Sequence, residues 1–415
     1  MADNFEQRHK SRLFILQTKW VFEKMKIISK IVSLLMTAVI VVGVLTSCSK
    51  NSLRPHDALP AIKPLFMHVG YVGSTTASYA KYTDSDLQKL TDIGVNEVCI
   101  AYGTAPVTYI PEGGTEPELL ITKDDINAIT PDMVGGDPSQ ADLDKLKAQF
   151  RSIINPLDED LLLNDYADMT LEFAERLVAV NPDIEIWYSF PDMYVVTLAD
   201  LYIEPFLEYY NYLKNNTDPQ IWENNIKGFY WLKEDVPETM YNCFDIENLV
   251  DFNNAEVRAM KACNDAVHED GKLTFWCPYY RSTNDTGKHI GFIANQTDIF
   301  DYVILQPNHV FTDGLDYNID LIKEATLQNA VLNKSYVAWG GEKKSSTMVG
   351  AEMESQSNLY SGKDREKNLE RYQAYVDAYQ DFLGKYSIAM YYGERNSVMS
   401  ETVFNQLKDF LAGVK

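Results

Sequence analysis

Short apolar runs alternate with stretches of helical periodicity along most of the chain, regularly enough to be counted. The runs predict strands over residues 64–72, 97–102, 184–190, 226–232, 272–276, 302–306, 336–339 and 387–392. Amphipathic helices are expected between them over 84–93, 163–180, 198–215, 255–270, 319–332 and 364–384, and a last helix over 399–412 closes the chain. Only the interval between the fifth and sixth strands is thin, near 289–296. Thr83-Asp84 is a start signal for the first helix, and Gly271 a stop signal for the fourth. No internal repeat is evident.

Strands that alternate with helices build a parallel sheet from βαβ units. Eight of them, with a helix after the last, argue for a closed (β/α)8 barrel. An open doubly wound sheet needs no such closure, and no Gly-rich phosphate turn follows any strand. The barrel is expected over 64–415 as a single catalytic-type α/β domain, with 48–63 as a linker. The stretch from 103 to about 160, with Gly113-Gly114 and Gly135-Gly136, is too long for a plain connection and reads as a substrate-facing insertion.

In such a barrel the chemistry lies at the C-terminal strand ends. The predicted third strand delivers Trp187, Tyr188, Phe190 and Asp192; the fourth, in GFYWLKED, delivers Trp231 and Glu234. Trp276, Tyr279, Tyr280 and Arg281 follow from the fifth, and Gln306, Asn308 and His309 from the sixth. The seventh runs from Trp339 into Glu342, and the eighth into Glu394 and Asn396. Aromatic faces stack on sugar C–H surfaces, while amides and carboxylates hydrogen-bond hydroxyls. The inventory fits a neutral polyhydroxylated substrate, with Trp187, Tyr188, Asp192, Trp231, Trp276, Tyr279, Tyr280, Gln306, Asn308, Trp339 and Glu394 as binding candidates. The bland alternative makes each ring barrel core.

Composition narrows the class. The net charge is −23 over 415 residues, which leaves no electrostatic footprint for nucleic acid. Cys99 and Cys277 read as buried hydrophobes, whereas Cys243 and Cys263 could pair in an oxidising compartment. Without a CxxC and with six scattered histidines, no metal or other cofactor is expected. From Met25 the chain shows Lys26 and Lys30, an apolar run over 31–45, and then Leu45-Thr46-Ser47-Cys48. A basic region, an apolar region and small residues before a cysteine resemble a bacterial lipoprotein signal. Residues 1–47 would then be a signal region with Met25 as initiator, and Cys48 would be acylated. A plain membrane anchor or a secretory signal are the alternatives, but the run is short for a span of about 20 residues. Ser49 does not resemble an inner-membrane retention signal, so the expected location is the outer membrane. Attachment would rest on acyl chains, because so acidic a chain repels anionic lipid.

A Glu ending the fourth strand and another ending the seventh resembles the clan A glycoside hydrolases, retaining (β/α)8 enzymes. That resemblance makes Glu234 the general acid/base and Glu342 the nucleophile. Two departures qualify it. Lys233 stands where that clan usually has an Asn for the sugar 2-hydroxyl, and Glu342 lies between Gly340-Gly341 and Lys343-Lys344. The stretch 227–234 also keeps the Gly and Glu of the chitinase-like DGxDxDxE motif, but Lys227, Tyr230 and Leu232 replace its aspartates. GFYWLKED and FDYVILQPNHVF (300–311) further resemble uncharacterised secreted bacterial barrel proteins from polysaccharide-associated settings. The leading expectation is a lipid-anchored glycoside hydrolase. A silent glycan-binding barrel of an uptake system is the second, and metal-dependent hydrolysis through His68, Asp192 and His309 a distant third.

Overall fold

A computed structural model describes residues 59–69, 81–101, 165–191, 202–234, 255–281 and 285–414, with Ala199, Val236 and the pairing of Thr108–Tyr109 with Glu118–Leu119. The chain divides into Met1–Arg54 and Pro55–Lys415, and the fold below belongs to the second unit. The signal region, Cys48, Asp192, Cys243 and most of the long stretch after residue 102 lie outside the described residues.

The eight barrel strands are β1 (Leu65–His68), β2 (Glu97–Ala101), β3 (Glu185–Ser189), β4 (Ile226–Trp231), β5 (Leu273–Trp276), β6 (Tyr302–Leu305), β7 (Met348–Glu354) and β8 (Ile388–Tyr391). All neighbours pair parallel, and β8 returns to β1, so the sheet closes. The principal helices are α1 (Asp84–Asp92), α2 (Asp165–Val180), α3 (Ile203–Asn216), α4 (Ala255–Glu269), α5 (Asp285–Gln296), α6 (Asp316–Gln328), α7 (Arg365–Tyr379) and α8 (Glu401–Leu411). The molecule is a closed (β/α)8 barrel. The thin interval after β5 does form a helix, α5.

Local chemistry starts and ties these elements. Thr83 caps α1 in a reciprocal capping box with Asp86. Asp86 also takes two hydrogen bonds from the Arg395 guanidinium just after β8, which fastens the first helix to the last strand's loop. Cys263 is a free, buried thiol within α4.

One prediction fails on register. Residues 336–339 form no strand. Tyr336 has φ 61°, Val337 is 56% exposed, and the Asn333 side-chain oxygen accepts from the Ser335 and Val337 amides. The seventh strand is Met348–Glu354, MVGAEME, buried along its whole length. Its Gly, Ala and two Glu have low strand propensity, so the apolar YVAW outscored it. Gly350 is required there: a Cβ would lie 2.4 Å from the Ser387 carbonyl oxygen and 2.5 Å from Ile304 Cδ1. Gly228 in β4 is tighter still, its Cβ falling 1.7 Å from the Leu273 carbonyl oxygen.

Side-chain alternation sorts the barrel's two faces. Phe66 on β1 meets Tyr230 on β4 at 5.1 Å and Phe275 on β5 at 6.0 Å between ring centroids. Trp187 on β3 meets Tyr302 on β6 at 6.1 Å. None of these three ring pairs joins neighbouring strands, so the rings touch through the interior and plug it. Below the plug, Glu97 accepts from Trp187 Nε1 at 2.8 Å and from the Lys63 amide at 2.6 Å.

Burial raises the Glu97 carboxyl from 4.5 to about 7, against the lowering effect of those two hydrogen bonds. An acid with a raised folded-state pKa binds its proton more tightly in the native state, so stability falls as pH rises from about 4.5 to about 7 and then levels. Glu97→Gln should lack that decline. Relative to wild type, its melting temperature should rise between pH 5 and pH 8, by an amount equivalent to about 3 kcal/mol. Parallel melting curves for the two proteins would remove Glu97 as a titrating group.

Candidate functional site

The C-terminal end of the barrel opens into a cleft of about 350 Å³. Its lining follows strand parity: Phe66 and His68 from β1, Tyr230, Leu232 and Glu234 from β4 and its extension, Glu352 and Glu354 from β7. Gln306, Asn308 and Phe311 come from β6 and its loop, and Tyr391 from β8. Among the described residues, three carboxyls therefore share one mouth with a wall of rings, and no Lys or Arg lines it.

Glu354 is held by donors from two directions. The Tyr375 hydroxyl on α7 donates to its Oε2, and the Asn308 amide donates to it as well. Tyr375 cannot turn its proton elsewhere, because its oxygen accepts from the His309 and Val310 amides at 2.9 and 3.2 Å. Three consecutive amides thus converge on one carboxylate, directly or through a phenol. The turn that aims them needs Asn308 at φ 54°, in the left-handed region where Asn is better tolerated than most residues. Its side chain accepts from the Thr312 hydroxyl at 2.9 Å, which steadies that turn.

Glu352 lies two residues earlier on the same inward face and is hydrogen-bonded to Glu354 and to the Cys277 thiol. The two glutamates are 3% and 2% exposed. Burial pushes Glu352 well above the carboxylate range, with added repulsion from Glu354 and Glu234. Burial also raises Glu354, while the Tyr375, Glu352 and Asn308 hydrogen bonds oppose the shift. Glu234 sits three residues beyond β4, exposed at the mouth, with its backbone oxygen accepting from the Tyr279 amide at 2.9 Å. Burial lowers His68 to about 4, so its ring is neutral at physiological pH.

The other expected site residues scatter. Glu342 is exposed in the connection that leads into β7, at the opposite end of that strand from the cleft. Its backbone oxygen accepts from Gln296, after Gly340 and Gly341 at φ 77° and 83°. Trp187 belongs to the interior plug. Tyr188, Trp231 and Trp276 point outward: Tyr188 bonds Thr217 at the end of α3, Trp231 packs on Phe206 of α3, and Trp276 stacks on Phe300. Tyr280 is buried with its hydroxyl on the Leu332 carbonyl. Trp339 packs against Gly291 of α5, and Tyr279 lies under Arg281 at 4.8 Å. Glu394 is half-buried at the start of the short helix Arg395–Val398. Among the described candidates, only Glu234, Gln306 and Asn308 line the cleft. Among the described residues no cluster could hold a metal ion, and His309 stacks on Tyr375 instead.

Glu352, Glu354, Tyr375 and Tyr391 are the residues that sequence reasoning missed. Two glutamates spaced i, i+2 in a fully buried strand were the available signal, since such a pair must face the same side of the sheet.

No protein-family model matches the sequence, and no curated protein does. Solved barrels are distantly similar in structure. A Bacteroides thetaiotaomicron protein assigned as an alpha-L-fucosidase is 12% identical, with a TM-score of 0.41, over 88% of this chain and 99% of its own. A Pyrococcus furiosus chitinase domain is 12% identical, with a TM-score of 0.39, over 85% and 97%. The Escherichia coli homocysteine methyltransferase MmuM is 9% identical, with a TM-score of 0.34, over 86% and 97%. The likeness is one of fold, shared by glycosidases and by a barrel of other chemistry.

Trp231 offers a direct check on the sorting of rings. It is 1% exposed between β4 and α3. Trp231→Ala should cost about 3–5 kcal/mol of stability in denaturant titration, whereas Phe311→Ala at the mouth should cost well under half of that. Equal losses would put Phe311 in the core.

Proposed function

We propose that this chain is a glycoside hydrolase that cleaves a glycan in the cleft, with Glu354 as nucleophile and Glu234 as general acid/base. The observation that supports it is the convergence of Glu354 and Glu234 at the C-terminal mouth, with Glu354 fixed by donors that can only donate. A carboxyl so held is rigid and aimed into the cleft, and its donors favour the ionised form against the burial that raises it to about 7. Glu354 ends β7, the place where the clan A resemblance calls for a nucleophile and which Glu342 does not occupy. Phe66, Tyr230, Phe311 and Tyr391 supply ring faces for sugar C–H surfaces, and Gln306, Asn308 and Gln356 supply amides for hydroxyls.

In the first step Glu354 attacks the anomeric carbon, the bond to the leaving oxygen breaks, and Glu234 gives that oxygen its proton. Water then attacks the same carbon, Glu234 takes the water proton, and Glu354 leaves as a carboxylate. Configuration is retained. Lys233 leaves the sugar 2-hydroxyl without the usual Asn partner, and Asn308 is one of three cleft amides that could replace it. The protein is further proposed to be a lipoprotein held at the outer membrane through Cys48, on the strength of its signal-like N-terminus.

The catalytic assignment is tested on a panel of aryl glycosides and natural polysaccharides. Glu354→Gln should abolish turnover on all of them, and azide should rescue Glu354→Gly as an inverted glycosyl azide. Glu234→Gln should lose about 10²–10⁴-fold on natural glycans while still releasing an activated aryl group. Glu342→Gln should behave as wild type. A wild type that binds glycan without hydrolysing any would replace the enzyme with a binding barrel. For the anchor, fatty-acid labelling of the wild type should vanish in Cys48→Ala; an unlabelled wild type removes the lipoprotein reading.

A further inference from the structure

We propose that Glu352 is a positioning residue of this same site, a carboxylic acid whose proton is donated to Glu354 and holds the nucleophile in place. The inference rests on the reading of Glu354 as nucleophile. Its physical basis is the direction of each hydrogen bond around the pair. Tyr375 has both lone pairs engaged by amides, so its proton goes to Glu354, and the Asn308 amide is an obligate donor. Glu354 therefore acts as an acceptor. Glu352 shares the inward face of β7 two residues earlier and is 3% exposed; two ionised carboxyls so placed would repel, so one proton stays on the pair, and Glu352, which lacks the Tyr375 donor, is the one assigned it.

The surroundings keep it there. Facing Glu352 are Glu354 on its own strand, Glu234 beyond β4, and the Cys277 thiol after β5. The Tyr230 phenol on β4 lies within its field as well. Across the cleft stand His68, which is neutral, and Tyr391. Among the described residues the charged groups named here are acidic, and none of those lining the cleft is a Lys or Arg. A second negative charge on the pair would be repelled by Glu234 as well as by its own partner, which favours two carboxyls sharing one proton.

Sign and consequence follow. Ionisation of Glu354 sets the acid limb of activity; ionisation of Glu352, at higher pH, puts two charges side by side and disorders the nucleophile. The alkaline limb of a normal turnover would also contain Glu234, so the cleaner assay is aryl-group release in a Glu234→Gln background. There the alkaline limb should persist, and adding Glu352→Gln, which keeps a donor but cannot ionise, should remove it. Glu352→Gln should lose less than about tenfold in rate, and Glu352→Ala about 10²-fold through the lost hydrogen bond to a charged group.

A readout independent of turnover separates the two readings. Infrared difference spectra of wild type minus Glu352→Gln at neutral pH should show a protonated carboxyl band that persists to alkaline pH. If Glu352→Gln does not fold, glutamate-labelled Glu97→Gln carries the same readout at alkaline pH, where Glu97 is absent and Glu354, raised only to about 7, has ionised. No such band, or an alkaline limb unchanged by Glu352→Gln, overturns the role of Glu352. A band present in a protein that hydrolyses nothing overturns the enzyme reading and leaves the proton-sharing pair intact.

Discussion

Two glutamates buried side by side in a closed barrel constrain everything near them. An isolated ionised carboxyl away from water is costly, and two adjacent ones are worse unless donors and a proton compensate. The chain meets that demand with parts from four elements. β7 provides the pair, the left-handed Asn308 turn after β6 provides the amides, α7 provides Tyr375, and Cys277 after β5 provides a thiol. The φ of 54° at Asn308 is local strain of the sort held at functional sites by surrounding structure. Here the surrounding structure is visible: Thr312 on the Asn308 side chain, and Asn318 donating to the Pro307 carbonyl at 3.0 Å.

The same constraint explains how far the sequence could be read. Seven strands were legible because each is an apolar run bounded by helix, and their number already implied closure. β7 was not, because its function required Glu352 and Glu354 and its close packing required Gly350. Those three residues remove the apolar signature on which strand prediction depends. Of the apolar YVAW nearby, Ala338 and Trp339 pack on the core, Trp339 against α5, while Tyr336 and Val337 are exposed. The site was therefore misread at the very strand where chemistry had displaced propensity.

A second misreading concerned the rings. Trp231 and Trp276 end their strands, which placed them at the correct height but not on the correct face. Alternation puts Tyr230 and Phe275 inside, hence their neighbours outside. Position along a strand says how near the mouth a residue lies; parity says whether it can see the cleft. Both are needed, and for β4 the in-phase set of Gly228, Tyr230, Leu232 and Glu234 satisfies both.

The interior plug divides two kinds of buried acid. Glu97, beneath the rings, is satisfied by one indole and one amide within the barrel floor, so its proton equilibrium bears on stability alone. Glu352 and Glu354, above the rings, are as deeply buried but open onto a cleft that a ligand can fill. Phe66, Tyr230 and Phe275 pack against one another between the two sets. A ligand entering from above would shut off the remaining water, and in that drier cleft the fixed donors on Glu354 act more strongly than they do when it is open.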